Sequence, residues 1–140
     1  MTPDDLKEAH DDIFAPWIKD LRLETTEIGD GWTRFRLPES QALTRRGGPG
    51  GGVICGQAVS AAADTASVLA LIAANDRLRP CTTVDLTAHF MRPLPEGDAE
   101  IRIDVLSNGR RMAVTRAEFR AAGSEKLAAT VTCAFAYLGD

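Results

Sequence analysis

Charge is almost missing from the middle of this sequence. Between Gly47 and Asn75 one carboxylate, Asp64, is the single charged side chain, set among glycines, alanines, small aliphatics and a few uncharged polar groups. A basic stripe is missing too. The net charge is −4, with acids and bases interspersed, which excludes a general nucleic-acid surface. Cysteine is scarce: Cys55, Cys81 and Cys133 are odd in number, widely spaced and free of any C-x-x-C pair. That pattern excludes a disulfide framework or zinc site and favours reduced thiols in a cytoplasmic setting. The opening segment, Met1 to Asp12, is acidic and polar, unlike a signal peptide. The run from Val53 to Ala74 has the length of a membrane span. Gln57, Ser60, Asp64, Thr65 and Ser67 interrupt it, however, and no aromatic belt or basic flank supports insertion. A cytoplasmic protein without membrane or nucleic-acid partners is expected.

With 140 residues, 44% hydrophobic and 26% charged, the chain has the balance of one soluble domain over residues 1–140. Thr2-Pro3-Asp4-Asp5 reads as a helix start, with Thr2 as cap, and that helix should run to about Asp12. Phe14 and Trp17 then supply apolar anchors. Leu21 to Ile28 has strand character, Gly29-Asp30-Gly31 is a turn, and Trp32 to Leu37 alternates as a half-buried strand does. Residues 39–52 form a loop ending in Gly47-Gly48-Pro49-Gly50-Gly51-Gly52, which is not a phosphate loop because the Gly-Lys-Ser/Thr ending is missing. Gly56 to Ala74 predicts a helix apolar on nearly every face, hence buried.

Four strands should follow. Cys81 to Met91 places Val84, Leu86, Ala88 and Phe90 on one face and Thr83, Asp85, Thr87 and His89 on the other. Ala99 to Val105, Met112 to Ala121 and Leu127 to Leu138 complete the set. Ser107-Asn108-Gly109-Arg110 predicts a hairpin with a type I′ turn on Asn-Gly. A single apolar helix needs a cover, and a curved antiparallel sheet supplies one, so the class is α+β. An ionised carboxylate inside such a helix is costly unless it is paired or used. A water-poor pocket is also where a carboxylate becomes suited to proton transfer. The structural alternative is that Asp64 caps a backbone group or pairs with an arginine of a neighbouring strand.

The arrangement resembles the hotdog fold, and within it the small acyl-CoA thioesterases of the phenylacetic-acid-degradation type. The resemblance rests on the glycine-rich loop, Cys55-Gly56-Gln57, Ala62-Ala63-Asp64-Thr65-Ala66, Thr83-Val84-Asp85-Leu86, Phe90-Met91-Arg92-Pro93 and Gly109-Arg110-Arg111, in that order. Relatives commonly carry His-Gly-Gly nine residues before the helix acid; here the same place reads Cys55-Gly56-Gln57, and Pro49 stands near where many relatives have an asparagine. The resemblance implies that Asp64 is general base or nucleophile, that the Gly56 N–H polarises the thioester carbonyl, and that Thr83 orients the attacking water. It implies basic residues for the coenzyme A phosphates, for which Arg92, Arg110 and Arg111 are candidates, each equally readable as a solvated turn charge. Coenzyme A enters as part of the substrate, with no metal or separate cofactor. The resemblance further implies a homodimer, or a homotetramer built from two dimers, in which antiparallel helices bring the acid of one subunit to the glycine turn of the other.

Cys55 is a second nucleophile candidate, because helix N-termini favour thiolates; its bland alternative is a small apolar filler. Gln57 either offers its amide to the carbonyl oxygen or caps the helix. Cys81 and Cys133 fit the core, and His10 and His89 fit solvated or interface positions. The chain is therefore expected to be an acyl-CoA thioesterase. The alternative is a hotdog protein that binds an acyl-CoA or another acyl ligand with little or no hydrolysis. A dehydratase or hydratase wants a histidine set against the helix acid, and none is evident in the loop or helix.

Overall fold

The computed structural model describes residues 1–139. Helix α1, Pro3–Asp12, opens on a capping box: the Thr2 hydroxyl accepts from the Asp5 N–H while the Asp5 carboxylate accepts from the Thr2 N–H. A 3₁₀ turn at Pro16–Leu21 buries Ile18 and Leu21. Trp17, expected as an anchor, is instead 59% exposed, because the turn directs its neighbours inward. Strands β1, Glu24–Gly29, and β2, Trp32–Leu37, form a hairpin, and a short 3₁₀ turn, Gln41–Leu43, leads into the glycine loop. Helix α2, Gly56–Asn75, is followed by β3, Cys81–Phe90, β4, Ala99–Asn108, β5, Met112–Ala121, and β6, Ala129–Tyr137.

The strands make one six-stranded antiparallel sheet in the order β1-β2-β4-β5-β6-β3, curled around α2. Phe35, Leu37, Ile101, Ile103, Phe119, Val131 and Phe135 point from the concave face onto the helix. The opposite face carries ranks of paired charge, such as Glu24, Arg36, Glu100 and Arg120 across four strands. By length and mean hydropathy (1.4) α2 could cross a membrane, yet 61% of that apolar stretch is buried inside this domain.

Three expectations for the central helix and the strands change. Helix α2 is not covered on every face: Gln57, Ser60, Ala61, Asp64 and Val68 form a stripe that the sheet leaves unburied, at the three-to-four-residue spacing of one helix face. The faces of β3 differ as well. A bulge between Thr83 and Asp85, opposite Phe135 and Ala134, inserts an extra residue. It puts Thr83 on the helix side with Leu86, Ala88 and Phe90, and leaves Val84 52% exposed. The third change is at the β4–β5 hairpin, where β4 runs on to Asn108 and the turn closes through the Gly109 N–H to the Met112 carbonyl, 2.8 Å. Neither Asn108 nor Gly109 has positive φ, so the type I′ turn does not form. The Asn108 side chain is engaged elsewhere, with Asn75 and Tyr137.

His10, expected in solvent or at an interface, is 3% exposed on the inner side of α1, and neither ring nitrogen has a hydrogen-bond partner. Burial lowers its pKa, partly offset by Asp11.

Candidate active site

Asp64 sits midway along α2 in the uncovered stripe, half-buried. The Thr83 hydroxyl donates to its Oδ1 at 2.6 Å, the short end expected for a hydroxyl bonded to a carboxylate. The bulge of β3 makes this bond possible by turning Thr83 toward the helix. Among the described residues Asp64 is in no salt bridge, so the arginine pairing held open by the sequence does not occur. With one proton given to Asp64, the Thr83 oxygen keeps acceptor capacity for a water that Asp64 could deprotonate. One turn further on, Ser67 accepts from the Thr115 hydroxyl at 2.7 Å, both fully buried, and this bond pins the helix to β5. Cys133 lies fully buried beside them; desolvation, then the charge of Asp64, pushes its thiol up to about 11. Cys81 is half-buried, and its pKa is raised by the same two causes. Neither thiol is suited to act as a nucleophile.

The start of α2 is the second part of the site. Cys55 is the N-cap residue, but its side chain caps nothing. The first N–H groups of the helix therefore lack both intrahelical partners and a side-chain cap, and the helix dipole points its positive end there. A cleft of about 350 Å³ opens at this end, lined by Gly56, Val59, Phe90, Met91, Arg92 and Leu94 among others. Phe90 stands over Gly56: a Cβ at that glycine would meet its Cζ at 3.4 Å. The glycine loop is laced to the chain at both ends. The Arg45 N–H donates to Val53, the Gly52 N–H to Arg45 and the Ile54 N–H to Leu94. Gly48, Gly50 and Gly52 all have positive φ, a backbone conformation that glycine adopts without strain.

The sequence candidates thus fall into three places. Asp64 and Thr83 are together. Cys55, Gly56 and Arg92 gather at the helix start, with Gln57 exposed on the same stripe as Asp64. Arg110 and Arg111 lie exposed at the hairpin beyond the far end of α2. Gly56 and Asp64 are eight residues apart, which is ~12 Å along a helix, too far to engage one carbonyl within one chain. The Cys55 thiol has no hydrogen-bonded base among the described residues. Sequence reading placed Phe90 on one strand face with Leu86 and Ala88, which holds, and passed over Arg79 and Tyr137, whose stacking is long-range.

A larger open cleft of about 930 Å³ lies on the other face of the sheet, lined by Arg34, Arg36, Arg102, Arg120 and several glutamates. Arg36 pairs with Glu24 and Asp98, Arg34 with Glu27, Arg102 with Asp104 and Arg120 with Glu118, leaving a self-neutralised surface. It faces away from α2, so the smaller cleft is the relevant one.

Residues 41–135 match the profile of the acyl-CoA thioesterase N-terminal domain. A Saccharolobus solfataricus protein, SSO1253, whose name assigns it provisionally as an esterase, is 28% identical over 94 residues, 67% of this chain and 59% of that protein. The chain thus spans about three fifths of the length of this curated relative. The thioesterase HI1161 of Haemophilus influenzae superposes with a TM-score of 0.84 at 19% identity, over 99% of this chain and 92% of that one. A point mutant of the phenylacetic acid degradation protein PaaI from Thermus thermophilus does so with a TM-score of 0.72 at 24% identity, over 89% and 100%. One helix wrapped by an antiparallel sheet, the matched residues and these neighbours lead to one conclusion: the chain belongs to the hotdog-fold thioesterase family of that acyl-CoA thioesterase domain.

Proposed function

We propose that this chain is an acyl-CoA thioesterase, acting as a homodimer and releasing free acid and coenzyme A. The observation that carries the reading is the half-buried Asp64, held by the Thr83 hydroxyl and turned to the uncovered stripe of α2. Within the proposed dimer, a second α2 lies antiparallel along that stripe. Gln57 and Asp64 are two turns apart on one face, so a two-fold axis between them sets Asp64 of one subunit against the Gly56 turn of the other. The open edge of β3 supports the pairing. Val84, Phe90 and Met91 are each more than half exposed along it, and its outer backbone groups have no strand to pair with among the described residues.

In this assembly the Gly56 N–H receives the oxyanion of the thioester carbonyl. Asp64 takes a proton from water as the water oxygen attacks the carbonyl carbon, and Thr83 orients that water. Collapse of the adduct expels the coenzyme A thiolate, which then takes up a proton. The same geometry serves direct attack by the Asp64 carboxylate, giving an anhydride that water opens. Single turnover in ¹⁸O-labelled water identifies the anhydride route where label enters the protein, because water that opens the anhydride at the Asp64 carbonyl leaves its oxygen in that carboxylate. Cys55 in place of the common histidine favours the second reading, a binder with weak turnover. A panel of short, medium, long and aromatic acyl-CoAs decides between them: steady turnover on any member supports the hydrolase, and tight binding without thiol release rejects it. Cytoplasmic location and the absence of a metal or separate cofactor belong to the same proposal.

A further inference from the structure

Arg79 lies in the link between α2 and β3 and reaches across to the β4–β5 hairpin. Its Nη1 donates to the Gly109 carbonyl at 3.2 Å and its Nη2 to the Arg110 carbonyl at 2.8 Å. Its guanidinium lies over the Tyr137 ring, 3.5 Å from the centroid. Below it three side chains close a ring of hydrogen bonds. Tyr137 donates to Asn108 Oδ1 at 2.5 Å, Asn108 Nδ2 donates to Asn75 Oδ1 at 2.9 Å, and Asn75 Nδ2 donates to the Tyr137 hydroxyl at 3.1 Å. The Tyr137 N–H also donates to the Arg111 carbonyl at 2.8 Å. Every anchor of this network is in β6, β4 or α2, and all of it converges on the hairpin tip.

The tip itself presents Arg110 and Arg111, both exposed, and among the described residues neither is in a salt bridge. This contrasts with the outer sheet face, where Arg34, Arg36, Arg102 and Arg120 are all paired to acids. A guanidinium pair held ready without a carboxylate suits phosphate, because the ligand then need not order the loop that carries it. Reach agrees as well. Asn75, to which the hairpin is tied, lies eleven residues beyond Asp64, or ~16 Å along the helix. That is comparable to the span of an extended pantetheine arm between a thioester and the nucleotide phosphates.

We propose that Arg79 is the positioning residue of a phosphate-binding hairpin: by holding the Gly109 and Arg110 carbonyls it fixes Arg110 and Arg111 to receive the nucleotide phosphates of an acyl-CoA. The inference rests on acyl-CoA being the substrate class. It is tested on the full chain with adenosine 3′,5′-bisphosphate, a mimic of the nucleotide end, by calorimetric titration. In parallel, KM is measured for one acyl group carried on coenzyme A and on pantetheine. Arg79→Ala and the double variant Arg110→Ala/Arg111→Ala should each weaken the bisphosphate about tenfold. Each should raise KM for the coenzyme A thioester and leave KM for the pantetheine thioester within about twofold. A merely structural Arg79 would raise both KM values alike, and that result, or an unchanged bisphosphate affinity in either variant, overturns the proposal. Should Arg79→Ala not fold, Arg79→Lys carries the test, since it keeps the charge but lacks the planar fork that reaches both carbonyls while stacked on Tyr137; unchanged bisphosphate affinity in it also overturns the proposal. Bisphosphate binding that depends on Arg79 without turnover of any thioester would remove the hydrolase reading and leave the hairpin; turnover indifferent to these arginines would do the reverse.

Discussion

Replacing Asp64 by asparagine separates the chemistry from the architecture. The Thr83 hydroxyl, 2.6 Å from Oδ1, keeps an acceptor oxygen in the amide. What is lost is the charge assistance of a single half-buried bond, so folding stability should fall by no more than ~1 kcal/mol. Asparagine cannot accept the proton of the attacking water or open an anhydride route. Loss of a positioned base lowers kcat by ~10²- to 10⁴-fold, or ~3–5 kcal/mol at ~1.36 kcal/mol per decade. Turnover should be followed by loss of thioester absorbance rather than by a thiol dye, because Cys55 and Cys81 are only half-buried. Gel filtration and a melting curve run beside it should show the proposed dimer and the fold unchanged. An Asp64→Asn variant turning over the best acyl-CoA within about threefold of wild type would take Asp64 out of the mechanism and leave the fold assignment untouched.

Thr83→Val removes a hydrogen bond to a charged acceptor, worth ~1.5–3 kcal/mol, so kcat should drop ~10- to 100-fold, while Thr83→Ser should stay close to wild type. Equal activity of the valine and serine variants would refute that role. His10 supplies a pH dependence. Burial holds its folded pKa below the ordinary value of 6.5, so on acidification the unfolded chain takes up a proton before the folded one does. Stability is complete above that value and falls as pH drops through it. Melting temperatures between pH 8 and 5 should therefore decline less steeply for His10→Leu than for wild type, and parallel slopes would contradict the assignment. Val84→Lys places a charge on the open β3 edge, where Val84 is 52% exposed. It should cost the single chain little and abolish both dimer and turnover; a fully active dimeric variant would place the interface elsewhere.

Much of the fold was legible along the chain because it depends on local periodicity. The Thr2 cap, the alternation of β2, β4 and β5, and the twenty-residue apolar α2 all appear where local pattern and punctuation place them. The standing of Asp64 as the one carboxylate of its helix was equally visible, since an isolated charge in an apolar run is conspicuous without coordinates. The local signals misled where a distant partner competed with them. Asn108-Gly109 has the composition of a type I′ turn, but Asn108 bonds instead to Asn75 and Tyr137, which are far away in sequence. His10 looked polar and external on an acidic helix and is buried by the packing of α1 on the sheet and α2.

The sequence by itself determined which segments are helix and strand, and that a single acid would stand on the central helix, because residue spacing sets backbone periodicity and the cost of burying charge. The tertiary structure alone decided what that acid touches. One extra residue in β3, accommodated against β6, turns the Thr83 hydroxyl onto Asp64, and the curl of the sheet leaves the stripe of α2 around it open. Register and coverage depend on strands brought together from opposite ends of the chain, and no local pattern encodes them.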